Sequence, residues 1–283
     1  MHMKVYPFKI PKPINEHLIV QVDKEPIFYN RLHQHEEIQI SHIINGNGKL
    51  LVGDSVHQFS KGDIFVIGGN LPHVFKSVLN EQDAHMITVF FTSRSFGADF
   101  FELPYFNEFK TFFSNATAGF KVETNQKKIA QQLVKLSSQN KLKRFILFLE
   151  LLDELGRANK QTLSRFVYSK SLSSNEGERL QIVFDFVLKN FHQPISLEQI
   201  AKMAFMTPNA FCRFFKQRTN KTFFQYLIEL RVAHACQLLS SNKELNINEV
   251  ADLSGFNSIS NFNKKFKKIK GVTPTHYQQS LSF

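Results

Sequence analysis

The last hundred residues of this 283-residue chain carry one pattern twice, and that repeat limits the fold more than any other feature. Ile200-Ala201 returns as Val250-Ala251 at an offset of 50, and Phe215-Lys216 returns as Phe266-Lys267 at an offset of 51. The register runs on through Asn220 and Gly271, Lys221-Thr222 and Val272-Thr273, and Tyr226 and Tyr277. The single inserted residue falls in the turn between two helices, so each copy reads as a helix-turn-helix. In the first copy Ser196 is placed to cap a helix, and Ala201 is small enough for close helix approach. Thr207-Pro208 then opens a second helix with Pro at its first position. In the second copy Asn246 or Asn248 opens the first helix, Gly255 makes the turn and Ser258 caps the next helix. Phe211 and Phe215, like Phe262 and Phe266, are four residues apart and mark buried faces.

The exposed faces follow by subtraction: Asn209, Cys212, Arg213 and Lys216 in one copy, Ser260, Asn263, Lys264 and Lys267 in the other. Asn, Arg and Lys read base edges by hydrogen bonding. Lys216, Gln217, Arg218, Lys265, Lys267, Lys268 and Lys270 cluster toward the helix ends, where phosphate contacts carry no sequence information. The charge agrees. The chain has 35 Lys and Arg against 24 Asp and Glu, a formal +11, of which +7 lies in residues 180–283. A basic segment of that size points to a polyanion, nucleic acid before a membrane.

Residues 182–279 resemble the DNA-binding domain of the AraC/XylS family of transcription regulators. The resemblance rests on Ile195-Ser196-Leu197-Glu198-Gln199-Ile200-Ala201, Phe214-Phe215-Lys216, Ser254-Gly255-Phe256, and Phe262 to Lys267 followed by Gly271-Val272-Thr273-Pro274. It implies two helix-turn-helix units joined by a long helix over 222–240. Their second helices would sit in successive major-groove segments, ~34 Å apart on one DNA face. Carried over by position, the base readers are Asn209, Cys212, Arg213, Ser260, Asn263 and Lys264, with Thr207, Lys216, Gln217, Arg218, Ser258, Lys267 and Lys268 on phosphates. The resemblance further implies a small-molecule-responsive activator, with RNA polymerase as a partner. Asn220 stands where the family has Gly, and Gln278 follows Tyr277 where the family has Arg. Asn tolerates left-handed backbone, which preserves the turn.

The N-terminal part has a different period. Short β-branched runs at 18–22, 38–44, 49–52, 63–67 and 86–91 are separated by Gly-rich turns and predict an antiparallel barrel or sandwich. Helical spacing takes over at 126–136 and 142–155. The stripe of Phe145, Phe148, Leu149 and Leu152 offers either packing on the barrel or a homodimer surface. A Ser-rich hinge is expected over 159–177, ahead of a helix over 179–190. The expected class is α+β: an antiparallel β-barrel with a helical extension, then an all-α domain with two helix-turn-helix units. The boundaries read as 1–95, 96–174 and 175–283.

His33, His35, Glu37 and Gln39 share parity, so in a strand they face one way, and His73 follows Leu71-Pro72. The pattern resembles a cupin barrel, the usual sensor module of this family, in which a His-x-His, a Glu and a distant His hold a metal. Here Gln39 occupies the Glu position, so the expectation is an effector bound by His33, His35, Glu37, Gln39 and His73, with no metal or cofactor. A metal on His33, His35 and His73, in a sensor or a cupin enzyme fused to a DNA-binding module, is the alternative. No Ser–His–Asp spacing, P-loop or Rossmann glycine pattern stands out, and a regulator rather than an enzyme is expected. With two cysteines, Cys212 and Cys236, a disulfide framework is excluded and a reducing compartment fits. Met1–Pro7 lacks the apolar core of a signal peptide, and the most apolar run, 145–152, contains Glu150 and is too short to span a bilayer. The expected location is the cytoplasm.

Overall fold

The computed structural model describes residue 10 and residues 16–79, 83–164, 173–242 and 244–280. Contacts divide the chain into two compact units, Met1–Gly177 and Glu178–Phe283.

The first unit holds nine strands among its described residues: β1 Ile19–Glu25, β2 Ile38–Asn45, β3 Gly48–Val52, β4 Ser55–Phe59, β5 Ile64–Ile67, β6 His73–Ser77, β7 Ala84–Phe91, β8 Phe120–Val122 and β9 Lys160–Thr162. They form two antiparallel sheets, ordered β1-β7-β2-β5-β8-β9 and β4-β3-β6. Phe28, Ile43, Leu50, Phe59, Phe65, Phe75 and Met86 fill the space between them. The other face of the large sheet, with Ile40, Val66, Val89 and Phe91, is covered by α1 Phe109–Ala116, α2 Gln126–Ser138 and α3 Lys141–Arg157. β2, β5 and β7 are therefore buried on both faces, which is why they read as continuous apolar runs rather than alternating ones.

Three expectations change here. The strands do not close into a barrel: β8 takes the outer edge of β5 and β1 that of β7, so the large sheet extends sideways instead of pairing with the small one. The stripe on α3 is spent inside the unit. Phe148 is fully buried, 4.7 Å from Phe91 and 5.7 Å from Phe96 between ring centres, and Leu152 is buried beside it. The hinge is also shorter than 159–177, because β9 pairs with β8 and α4, Ser174–Asn190, begins early. Its middle, 165–172, lies outside the described residues, as does Met1–Pro7. The Phe-rich composition is explained by the α1–α3 layer, where Phe91, Phe96, Phe100, Phe101, Phe112, Phe145 and Phe148 pack as tilted, edge-on and stacked rings.

The second unit is helical: most of α4, then α5 Leu197–Met203, α6 Pro208–Thr219, α7 Phe223–Ser241, α8 Ile247–Leu253, α9 Ile259–Lys270 and α10 Pro274–Ser280. The caps are built from the residues that the repeat singles out. Ser196, Thr207, Asn246 and Ser258 accept from the backbone N–H groups of Gln199, Ala210, Glu249 and Asn261. Equivalent positions are buried alike: Ile200 and Val250, Ala201 and Ala251, Phe211 and Phe262, Phe215 and Phe266 are each within 1% of fully buried. Both turns close with the same bond, Met206 N–H to Ala201 O (2.9 Å) and Phe256 N–H to Ala251 O (3.0 Å). Asn220 ends α6 at φ 54°, as Gly271 ends α9 at φ 79°.

Candidate functional site

Burying Phe211 and Phe215 turns the opposite face of α6 outward. Asn209, Cys212, Arg213, Lys216 and Gln217 are all exposed there. On α9, burial of Phe262 and Phe266 leaves Ser260, Asn263, Lys264, Lys267, Lys268 and Lys270 exposed. Residues 209, 212, 213 and 216, like 260, 263, 264 and 267, are spaced i, i+3, i+4, i+7, so each set forms one stripe. Thr207 and Ser258 stand at the starts of the two stripes as caps. Arg218 and Lys265 are half-buried beside them.

In the first unit His33, His35 and His73 converge, with one ligand nitrogen of each within 4.8 Å of the others. The means is not the strand parity expected, because β2 begins only at Ile38. His33 instead pairs with His73 through an isolated antiparallel bridge, with N–H to O distances of 3.1 and 2.9 Å. Each ring sets its Nδ1 against a main-chain carbonyl: His33 on Arg31 (2.8 Å), His35 on Glu37 (3.0 Å) and His73 on Leu71 (2.8 Å). A carbonyl oxygen only accepts, so a neutral His33 carries its proton on Nδ1, whereas His35 and His73 face an acceptor oxygen at both ring nitrogens. Burial holds His33 and His73 neutral: it lowers His33 to about 4 and His73 well below the ordinary imidazole value.

Gln39 sits at the focus, its Oε1 3.1 Å from His35 Nε2 and 3.0 Å from His73 Nε2. Its Nε2 donates to Ser41 Oγ (2.8 Å), and Ser41 Oγ lies 3.0 Å from Thr88 Oγ1. Glu37 does not join this focus. Its carboxylate lies 3.6 Å from His35 Nδ1, on the outer side of the ring. The histidine donors and the Gln39 oxygen thus suit a metal better than the amide alone suggests, with carbonyls behind each ring as in metal-bound imidazoles.

A cavity of about 500 Å3 opens beside this focus, with His33, Gln39, Thr88, Phe90, Gln21 and Asp23 in its wall. The sheet register puts four of these in place: Gln21 faces Thr88 across β1 and β7, and Gln39 faces Phe90 across β2 and β7. Gln21 donates to Asp23 Oδ1 (2.6 Å), and burial raises the Asp23 carboxyl. Ser41, Thr88, Gln21 and Asp23 were not among the expected ligand-binding residues. Their signal was a polar residue at every second position beside apolar neighbours, as in Val20-Gln21-Val22-Asp23.

Residues 200–280 match a helix-turn-helix domain family, and residues 20–90 match a cupin domain family. Together the matches span more than half of the chain. The chain is a DNA-binding transcriptional regulator that joins an AraC-type helix-turn-helix domain to a cupin domain. It is 26% identical over 252 residues to the "Probable transcriptional regulator LumQ" of Photobacterium leiognathi, covering 87% of this chain and 91% of that protein. It is 24% identical over 249 residues to the "HTH-type transcriptional activator RhaR" of an Enterobacter species, covering 87% and 86%. It is 32% identical over 107 residues to the "Uncharacterized HTH-type transcriptional regulator YdeC" of Bacillus subtilis, covering 38% of this chain and 36% of that protein. Against the AraC/XylS pattern, Gln278 departs in a defined way: its side chain donates to Leu245 O (3.4 Å), within the second unit. Among the described residues no helix is long and apolar enough to cross a membrane.

Proposed function

We propose that this AraC/XylS regulator is a small-molecule-responsive activator, acting in the cytoplasm on double-stranded DNA and RNA polymerase and not as an enzyme. The observation that carries it is the cavity of about 500 Å3, a largely apolar wall set with a few polar groups, in the cupin unit of a chain that also holds two helix-turn-helix units. The volume suits a metabolite-sized ligand. His33, His35, Gln39 and His73 would contact or frame the effector, with Thr88, Gln21 and Asp23 added from the sheet and Glu37 holding His35 from behind. Asn209, Cys212, Arg213, Ser260, Asn263 and Lys264 would read bases, and Thr207, Lys216, Gln217, Ser258, Lys267 and Lys268 would hold phosphates, with Arg218 contributing from its half-buried position. An activator role follows the name of the RhaR relative, and the free thiols of Cys212 and Cys236 suit a reducing compartment.

An effector changes DNA affinity only by its differential affinity for the two states of the protein. Anisotropy of labelled promoter DNA, titrated with the full chain across a metabolite panel, tests this directly. A compound that shifts the DNA affinity and loses that effect in Thr88→Val supports the reading. A panel in which nothing alters DNA affinity or transcription removes the sensor role and leaves the regulator. Pairing of two copies belongs to the same reading, and sedimentation that finds monomer at all working concentrations removes it.

A further inference from the structure

We propose that the cavity of the first unit takes an organic cation, a primary amine on an apolar body, with its ammonium group at Asp23 and Glu25. That the cavity is the effector site is the reading given above, and this ligand class rests on it.

Strand alternation and register set the shape of the wall. Gln21, Asp23 and Glu25 alternate along β1 and so face one way, and Met86, Thr88 and Phe90 do the same along β7. Glu25 lies opposite Ala84, Asp23 opposite Met86 and Gln21 opposite Thr88, while Gln39 of β2 lies opposite Phe90. The carboxylates and the Gln39 amide therefore stand at two ends, ~13 Å apart along β7 at the rise of a strand. Much of the remaining wall is apolar, with Phe28, Phe75, Met86 and Phe90 all buried in it.

Charge then selects the ligand. The chain has a formal charge of +11, yet among the described residues no Lys or Arg lines the cavity. Neither Asp23 nor Glu25 is paired with a cation among those residues. His33 adds no positive charge, because burial lowers it to about 4. Asp23 is half-buried and accepts from Gln21 (2.6 Å). Burial raises its carboxyl, the Gln21 bond lowers it and the charge of Glu25 raises it again. A cation entering beside such a carboxylate is attracted, whereas a phosphate or carboxylate ligand would add to the negative charge already there. A bare calcium ion fits poorly, since it takes about six to eight oxygen ligands and the wall is mostly carbon. An organic ammonium suits both parts of the wall. It donates charge-assisted hydrogen bonds to carboxylates and packs well against aromatic faces.

The test uses the full chain with butylamine, hexylamine and phenethylamine, each beside the alcohol and the carboxylate of the same carbon count. A free hexose serves as the neutral polyol. Calorimetric titration gives the affinities, and the anisotropy of labelled promoter DNA is followed in the same solutions. At least one amine is expected to bind, ~10–100-fold more tightly than its alcohol, with its carboxylate the weakest of the three. Asp23→Asn is expected to remove that advantage, and Glu25→Gln, at an exposed position, to reduce it by less. Far-UV circular dichroism and a cooperative melt show that each variant has folded. An alcohol, carboxylate or hexose that binds as tightly as the amines overturns the ligand class. Amine affinity that survives Asp23→Asn overturns it too, as does the absence of amine binding to the folded wild-type chain. The DNA measurement separates the two failures. An amine that binds without altering DNA affinity supports the ligand class and counts against the effector role, and a hexose that alters DNA affinity supports the effector role and removes the amine.

Discussion

Phe205 and Gly255 occupy the same place in two copies of one turn, and both have left-handed backbone, at φ 56° and φ 82°. The N–H of Phe205 bonds to Lys202 O and that of Gly255 to Asp252 O, so the two turns are built alike. Gly255 needs its conformation and its lack of a side chain, because a Cβ there would lie 2.8 Å from Phe191 O and from His192 Cα. Phe205 meets no such wall and is 78% exposed, so its ring offsets little of the strain. Left-handed backbone costs an L-residue roughly 1–2 kcal/mol. Phe205→Gly is therefore expected to stabilise the second unit by up to about 1 kcal/mol, after the extra chain entropy of Gly is subtracted. Gly255→Ala is expected to destabilise the same unit by more than that. Thermal melts of both variants decide it, and a lower midpoint for Phe205→Gly contradicts the strain argument.

The two recognition faces carry separable predictions. Arg213→Ala and Lys264→Ala are expected to cost ~1–3 kcal/mol on the cognate site and to relax preference at particular base pairs. Lys267→Ala is expected to weaken all sequences alike and to reduce the salt dependence by about one counterion. Binding to cognate and scrambled DNA across a salt series checks both. Equal losses on the two DNAs for Arg213→Ala would remove it from the base readers.

The second unit was the more legible in sequence, because its signals are local. Caps such as Ser196, Thr207 and Ser258 lie three residues from their backbone partners, and an i, i+4 Phe pair marks a face without knowledge of what covers it. The first unit depends on distant pairing. β8 and β9 are three-residue strands that exist through their place beside β5 and each other, and nothing in Phe120–Val122 or Lys160–Thr162 alone announces a strand. β4 and β6 were missed for a related reason: they are five-residue strands in a small sheet, with polar His57, Gln58 and Lys76 inside them. The histidine cluster was found for a partly wrong reason. Its members converge through the His33–His73 bridge, and the parity argument that joined Glu37 to Gln39 fails because Glu37 precedes the strand.

The two thiols should differ sharply in reactivity. Cys212 is exposed on the α6 face, whereas Cys236 is buried in α7, where burial pushes its thiol up. A thiol reagent added to the native full chain is expected to modify one cysteine, at position 212, and to weaken DNA binding; prior saturation with promoter DNA should slow the modification. Mass spectrometry of the labelled peptides reads out both. Modification of Cys236 at the same rate in the folded protein would show that α7 is not packed as described.

Phe148 is where the helical layer and the large sheet depend most on one side chain. It is fully buried, with its ring centre 4.7 Å from that of Phe91 on β7 and 5.7 Å from that of Phe96. Truncation of a buried Phe costs about 3–5 kcal/mol through lost burial and the cavity left behind. Phe148→Ala is expected to lose that much from the first unit in urea unfolding, while DNA binding by the second unit persists, because α5 to α9 have their own cores around Phe211, Phe215, Phe262 and Phe266. Had the α3 stripe been an interface between copies, the same substitution would change the sedimentation of the folded protein and leave its urea midpoint, at concentrations where the chain is monomeric, nearly where it was. A large stability loss without a change in oligomeric state is the outcome that the packing of Phe148 requires.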